Sequence, residues 1–205
     1  MNDAISGRIT LEEYLALDAG TEERLEYRDG YAVAMATPTK RHERIAMNLV
    51  LAVGNAVRAR GCDVFSGGAK VIAQSGDRLI PDFVVSCDER DLRRPEDSGE
   101  NVVTHPSVVV EILSQATAAD DLTGKFDAYA TIPELTHYVV IDSRRRLIHV
   151  YERLAGGGFA MHGNVSRLTI PALGIDLASD DVYRGTQTPV VHDVSPLAVR
   201  ALMEV

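Results

Sequence analysis

The sequence predicts an α/β fold in which a mixed β-sheet is flanked by helices. The run Val-Val-Val-Glu-Ile-Leu at 108–113 has the length and β-branched composition of a buried central strand. Apolar residues recur at helical spacing through 39–60, and a second helix is expected at 118–130 between predicted strands. This mixture of strands and helices favours one α/β domain at 1–185. We expect a C-terminal extension at 186–205.

The first sixty residues carry clear start and stop signals. Residues 10–13 form a capping box, which predicts a short helix directly after it. Asp29 and Gly30 predict a hairpin turn between two strands. Thr39 and Gly61 are expected to begin and end the long helix.

The rest of the chain is predicted to consist mainly of short strands. Their runs of apolar and β-branched residues lie at 63–66, 70–74, 82–86, 108–113, 136–141, 147–151, 159–161 and 165–168. The polar segment 88–104 is expected to be a long surface loop. A short terminal helix is expected at 196–204.

Composition indicates a soluble globular protein, with 45% apolar and 25% charged residues. The net charge of −9 argues against binding nucleic acid through overall charge alone. No apolar run is long enough for a membrane span, and the N-terminus lacks a signal-peptide pattern, so a cytoplasmic location is expected. Cys62 and Cys87 match no metal-ligand pattern, and both are expected to be reduced and mostly buried.

Two carboxylates stand out because they lie in or beside apolar strands. Glu111 shares one face of its predicted strand with Val109 and Leu113, and Asp82 directly follows Pro81. A buried ionised carboxylate costs several kcal/mol unless a cation or hydrogen-bond donors meet it. A metal ion is one candidate partner for Glu111.

An ordered set of residues between 11 and 153 resembles the PD-(D/E)XK nuclease superfamily, and more closely the Uma-two family of restriction endonucleases. The positions that carry the resemblance are Glu26, Asp29, Gly30, His42, Pro81, Asp82, Glu111 to Ser114, Thr117, Asp121, Lys125, Tyr129, Tyr138 and Asp142. The sequence departs from the superfamily's short E-x-K motif, because Leu113 occupies the lysine position. In the resembled family the lysine comes from the following helix, where Lys125 fits.

The resemblance implies a restriction-endonuclease-like fold and Mg²⁺- or Mn²⁺-dependent cleavage of DNA. Asp82 and Glu111 would be metal ligands, and Glu26 would reach the ion directly or through water. Lys125 would orient the attacking water or stabilise developing charge. Its replacement by Met is then expected to reduce activity without changing stability. Cleavage of both strands would favour a homodimer.

Other interpretations stay open for most of these residues. Lys125 and Asp121 are also typical of an exposed helical ion pair worth about 0.3–0.5 kcal/mol. Glu26 fits a solvated strand residue and Asp82 a turn, while His42 fits a structural or surface position outside the metal set. The aromatic residues Tyr129 and Tyr138 fit core positions.

The polar loop and the overall function each allow alternatives. Arg90, Arg93 and Arg94 fit either a contact with a nucleic-acid backbone or an ordinary solvated loop. The fold also suits a non-catalytic interaction module or a small-molecule phosphodiesterase, since a fold alone does not fix its substrate.

Overall fold

The computed structural model of the protein describes residues 7–93, 101–114 and 118–190, with the side chains of 118–123 excluded. Four sequence predictions therefore lie wholly outside the described residues: the terminal helix at 196–204 and the roles of Arg94, Thr117 and the Asp121 side chain. The C-terminal extension is described only as far as residue 190.

Six helical segments are present in the described chain. They are α1 (Leu11–Ala19), α2 (Lys40–Arg58), α3 (Glu89–Leu92), α4 (Ala118–Ala130), a 3-10 helix (Pro171–Leu173) and α5 (Ser179–Val182). The Thr10 side chain and Glu13 form the predicted capping box of α1, and Thr39 caps α2. No helix within the described ranges combines the length and apolar character of a membrane span.

Thirteen strands accompany these helices in the described chain. They are β1 (Leu25–Arg28), β2 (Tyr31–Ala34), β3 (Asp63–Ser66), β4 (Lys70–Ile72), β5 (Arg78–Leu79), β6 (Phe83–Ser86), β7 (Val102–Val103), β8 (Pro106–Leu113), β9 (His137–Asp142), β10 (Leu147–Arg153), β11 (Phe159–His162), β12 (Arg167–Ile170) and β13 (Ile175–Ala178). Asp29 and Gly30 both have positive φ in the β1–β2 hairpin, as the predicted turn requires.

The strands form one large mixed sheet and two smaller sheets. The large sheet has the order β11-β10-β9-β8-β6-β3, in which β8 and β9 are parallel and their neighbours antiparallel. The second sheet has the order β2-β1-β5-β4-β7, and β12 pairs with β13. The predicted α/β fold with a mixed sheet and flanking helices is confirmed.

Strand β8 is buried on both faces, as its apolar run predicts. Val108 and Val110 belong to the core that α2 covers, whereas Val109 and Leu113 belong to the core on the other face of the sheet, which contains Tyr129 of α4. Glu111 alternates onto this second face and is only 2% exposed. The sheet therefore holds a carboxylate inside an apolar core.

The core-facing positions of α2 match three of the five apolar positions predicted for this helix, which are Ile45, Leu49, Ala52, Val53 and Ala56. Ile45, Leu49 and Val53 are buried as expected. Ala52 is exposed and Ala56 is half-buried, and Val57 completes the buried stripe instead. The difference arises because residues four positions apart lie on nearly the same face of a helix. The buried stripe therefore runs through positions 45, 49, 53 and 57.

The sequence prediction missed six short elements. The segment predicted as the loop 88–104 contains α3 and β7. The other four, β5, the 3-10 helix, β13 and α5, lie where no regular element was predicted. The strands β5 and β7 have two residues each, which is too few to show an alternating pattern, and β13 has four. Pairing with distant strands defines them.

The expectation that Cys62 and Cys87 are reduced is wrong, because the structure joins them in a disulfide. In the antiparallel pair of β3 and β6, Asp63 lies opposite Ser86, so the next residues outward meet each other. Their Cα atoms are 4.1 Å apart. Strand register, which the local sequence does not show, produces this pair. Disulfides are rare in reducing compartments, and the cytoplasmic location stays a prediction.

A buried carboxylate holds the segment before β8. Asp91 accepts hydrogen bonds from Ser86 Oγ, from Thr104 N and Oγ1, and from His105 N, at 2.9 Å each. Burial alone raises the pKa of Asp91, but these donors outweigh burial and lower the pKa below its ordinary value. The ionised carboxylate therefore stabilises the folded state.

Asp91→Asn is expected to lower the free energy of unfolding by about 1–3 kcal/mol at neutral pH, because buried donors lose a charged acceptor. Since the folded pKa lies below the unfolded value of about 3.9, the carboxylate's contribution is present above that value. This contribution is lost as pH falls through the folded pKa, so the unfolding free energies of the wild type and Asp91→Asn converge in acid. Urea unfolding at several pH values measures this, with the exposed Asp176→Asn as control. A difference in unfolding free energy between the wild type and Asp91→Asn that stays constant in acid would contradict the prediction.

Candidate active site

The candidate site lies where β1 of the second sheet, β8 of the large sheet and helix α4 converge. Glu26 on β1, Glu111 on β8 and Lys125 on α4 are 1%, 2% and 5% exposed. Three ionisable side chains at this depth require one another, because an unpaired buried charge is costly. The site is therefore built by elements distant in sequence.

Lys125 bridges the two glutamates. Its Nζ lies 2.9 Å from Glu26 Oε1 and 3.2 Å from Glu111 Oε1. Glu26 Oε1 also accepts the main-chain N–H of Ile80 at 2.8 Å. The interpretation of Lys125 as an exposed helical residue is wrong, and its burial revises the expectation that its removal leaves stability unchanged.

Tyr129 lies one helical turn after Lys125 and supports the same carboxylate. Its hydroxyl donates to Glu111 Oε1 at 2.9 Å. Burial first, and then the charge of Glu111, raise the pKa of Tyr129 well above its ordinary value, so the hydroxyl keeps its proton. Tyr129 packs 5.5 Å, centroid to centroid, from Tyr138, which is a core aromatic as predicted. The i, i+4 spacing from Lys125 was the available signal for this role.

Asp82 reaches the site from the start of β6. Phe83 pairs with Val110 in the antiparallel β6–β8 ladder, which brings the preceding Asp82 opposite Glu111. Asp82 Oδ2 accepts the main-chain N–H of Ile112 at 2.7 Å. The sheet register thus fixes this carboxylate beside the buried one.

His42 is a site residue that the sequence interpretation missed. Its Nε2 lies 3.0 Å from Asp82 Oδ1. Burial opposes its protonation, but the hydrogen bond and the charge of Asp82 outweigh burial and raise the pKa of His42. Its Nδ1 is buried without a hydrogen-bond partner in the described chain. The family resemblance included His42, but its position in the first turn of a helix did not indicate this contact with Asp82.

One cavity collects these side chains. Its lining comes from the two sheets and from α2 and α4, and comprises Arg24, Glu26, Met35, Ala36, Thr37, Pro38, His42, Asp82, Glu111, Ile112, Ser114 and Lys125. All four predicted site residues, Glu26, Asp82, Glu111 and Lys125, therefore lie along a single cleft. Asp142 takes another role, since its carboxylate binds Arg144 and Arg145 in the β9–β10 turn.

Hard oxygen donors in the cleft fit Mg²⁺ in chemical type. Within the ranges that the structure describes, no group of three His, Cys, Asp or Glu side chains is arranged to hold one metal ion. Mg²⁺ is usually held by one or two carboxylates, with water and substrate phosphate completing its shell. Asp82 and Glu111 would meet that smaller requirement. Each glutamate has one oxygen that is already bonded: Glu26 Oε1 by Lys125 and Ile80, and Glu111 Oε1 by Lys125 and Tyr129.

The described arginines of the polar segment are ion-paired away from the cleft. Arg90 binds Asp88 at 2.7 Å and Glu134 at 3.1 Å, and Arg93 binds Glu89 at 2.8 Å. This arrangement favours the interpretation of a solvated surface over a phosphate-binding loop.

The fold and the carboxylate–lysine cleft together define a restriction-endonuclease-type protein. A family model, Uma2, described as "Putative restriction endonuclease", matches residues 11–177. The match covers most of the 205 residues, so the chain belongs to the Uma2 family. Membership of this family supports the assignment of the protein as a nuclease.

Relatives and a solved structure agree with this family assignment. The Synechocystis protein slr1290, described as uncharacterized, is 31% identical over 181 residues, covering 87% of this chain and 93% of the relative. A second uncharacterized Synechocystis protein, sll1609, is 29% identical over 147 residues, covering 71% and 81%. The crystal structure of "a putative nuclease belonging to DUF820" from Anabaena variabilis has a TM-score of 0.69 at 21% identity, covering 85% of this chain and 97% of that one. At this identity, the structural likeness shows the fold.

Proposed function

We propose that this protein is an Mg²⁺-dependent endonuclease that hydrolyses phosphodiester bonds of DNA in the cleft. The observation that carries the proposal is the position of Lys125, which is buried against Glu111 and Glu26 in a cleft shared with Asp82. Family membership supplies the class of substrate. We propose DNA as the particular nucleic acid.

Asp82 and Glu111 are the carboxylates that would hold the metal ion. When bound, Mg²⁺ lowers the pKa of a water molecule and offsets negative charge on the phosphate. Ile112 N–H holds one oxygen of Asp82, and Tyr129 holds Glu111, so neither carboxylate rotates freely. Such fixed donors favour catalysis because little reorganisation accompanies the reaction.

Lys125 has the role of orienting the attacking water and stabilising charge that develops on the phosphate. The carboxylates of Glu26 and Glu111 fix the direction of its ammonium group. Glu26 acts through Lys125 in this scheme, which changes the accessory metal role expected from the sequence into a positioning role. His42 positions Asp82 in the same way, through the contact between Nε2 and Oδ1.

A cleavage assay on plasmid, duplex and single-stranded DNA tests this function. We expect cleavage with Mg²⁺ or Mn²⁺ and none with EDTA, because the metal ion would supply the activated water and offset charge on the phosphate. RNA and a small diester, bis(p-nitrophenyl) phosphate, serve as parallel substrates. Cleavage of the small diester alone would support a small-molecule phosphodiesterase. Absence of cleavage of every substrate with every metal would contradict an enzyme.

A homodimer is part of this proposal, since two clefts related by two-fold symmetry suit the two strands of a duplex. Light scattering of the eluting protein, with and without duplex DNA, measures its mass.

A further inference from the structure

Three adjoining cavities form one groove that leads from the cleft to the outer face of α2, and Pro38 lines all three. The first contains Lys125, and it shares Arg24 and Asp82 with the second. The second and third meet along α2. We call the part beyond Asp82 the outer groove, and its main side chains are Arg24, Pro38, Lys40, Glu43, Arg44 and Met47.

Three exposed cations line the outer groove without a carboxylate partner among the described residues. Arg24 donates to Gly67 O at 3.1 Å, and Arg44 donates to Gly185 O. Lys40 lies in the first turn of α2. The groove also carries the exposed carboxylate of Glu43, and a fourth exposed cation, Arg184, which is paired with Asp181.

Exposed arginines elsewhere in the described chain fall into two groups: some bond main-chain carbonyls, as Arg8, Arg41 and Arg60 do, and others are neutralised by carboxylates. Arg58 binds Asp63 at 2.8 Å, and Arg90 and Arg93 bind carboxylates at 2.7 and 2.8 Å. In a chain with 30 acidic and 21 basic residues, partners are abundant. The grouping of Arg24, Lys40 and Arg44 in one groove that adjoins the cleft therefore favours an external anion.

We propose that the outer groove binds the sugar-phosphate backbone of DNA beside the scissile bond, with Arg24, Lys40 and Arg44 contacting successive phosphates. The proposal rests on the proposed function for the identity of the nucleic acid. Phosphate contacts fix the register of a backbone without reading its sequence. The positive end of the 19-residue helix α2, which begins at Lys40, adds to the attraction. The backbone would then extend from the outer groove towards Lys125.

Duplex binding in EDTA tests the outer groove without requiring turnover. The variant Arg24→Ala/Lys40→Ala/Arg44→Ala and the wild type are titrated against a short fluorescein-labelled DNA duplex between about 50 and 200 mM salt. Each phosphate contact contributes about 0.9 to the slope of log affinity against log salt, so we expect the slope to fall by up to about 2.7. Affinity at the lower salt should fall by on the order of tenfold to a hundredfold.

The matched control is Arg58→Ala/Arg90→Ala/Arg93→Ala, which changes the net charge equally but removes cations that already have carboxylate partners. We expect the control to keep the wild-type slope. Equal slope losses in both triple variants would show a nonspecific charge effect and overturn the proposal.

The remaining outcomes separate the outer groove from the catalytic proposal. Cleavage by the wild type, together with an unchanged slope in the groove variant, overturns the outer groove and leaves the nuclease. A reduced slope in the groove variant, together with no cleavage by the wild type with any metal ion, supports the outer groove and overturns the nuclease. Absence of duplex binding by the wild type at low salt also overturns the outer groove. If the triple variant loses its cooperative melt, the exposed Lys40→Glu alone should lower the slope by about one.

Discussion

Glu111→Gln is expected to remove essentially all DNA cleavage while leaving the melting temperature unchanged or raised. Two carboxylates share the ammonium of Lys125, and Arg28 lies 3.9 Å from the other oxygen of Glu26, so Glu26 keeps two cationic partners when Glu111 is neutralised. Glutamine keeps the shape and an acceptor for Tyr129, and it removes one desolvated charge. The remaining Glu26 still pairs with Lys125.

The same variant tests the proposed metal ligand. Mg²⁺ or Mn²⁺ should raise the melting temperature of the wild type, because a ligand that binds only the folded state stabilises it by mass action. Glu111→Gln should lose most of this increase. Thermal melts with and without millimolar metal measure it, and the exposed Glu89→Gln is the control. An identical metal response in the wild type and Glu111→Gln would remove Glu111 from the ligands.

Patterns within single segments predicted much of the fold. The apolar run at β8 showed a buried strand, and strict alternation placed Glu111 on the same face as Val109 and Leu113. Capping residues at Thr10 and Thr39 marked two helix starts because their hydrogen bonds are made within a single turn. Sequence patterns predicted an element correctly where the interacting residues lie only a few positions apart.

The site depended on relations between segments that the sequence does not display. The contacts of Lys125 with Glu26 and of His42 with Asp82 join residues 99 and 40 positions apart. Residue types alone favoured an exposed pair for Lys125, because lysine is rarely buried. Only the family resemblance pointed to its role, since packing of α4 against the sheet decides the direction of the side chain. The disulfide was missed for the same reason, since strand register determines it.

Lys125→Met is expected to lose both stability and activity. Removal of one member of a buried ion pair typically costs about 3–5 kcal/mol, since the remaining charge is desolvated and uncompensated. Here two carboxylates remain, Glu26 and Glu111, at 1% and 2% exposure. Loss of one positioned charge also lowers cleavage by on the order of 10²-fold. Lys70→Met, whose ion pair with Asp18 is more exposed, is the control and should keep full cleavage.

The double variant Lys125→Met/Glu26→Gln separates the two losses. It removes one uncompensated carboxylate, so unfolding in urea should show partial recovery of stability. Glu111 and Asp82 remain to hold the metal, yet cleavage under single-turnover conditions should stay as low as in Lys125→Met, since no ammonium faces the phosphate. If cleavage returned in step with stability, Lys125 would be a structural counter-ion of the two glutamates. The proposed chemistry would then rest on Asp82 and Glu111 alone.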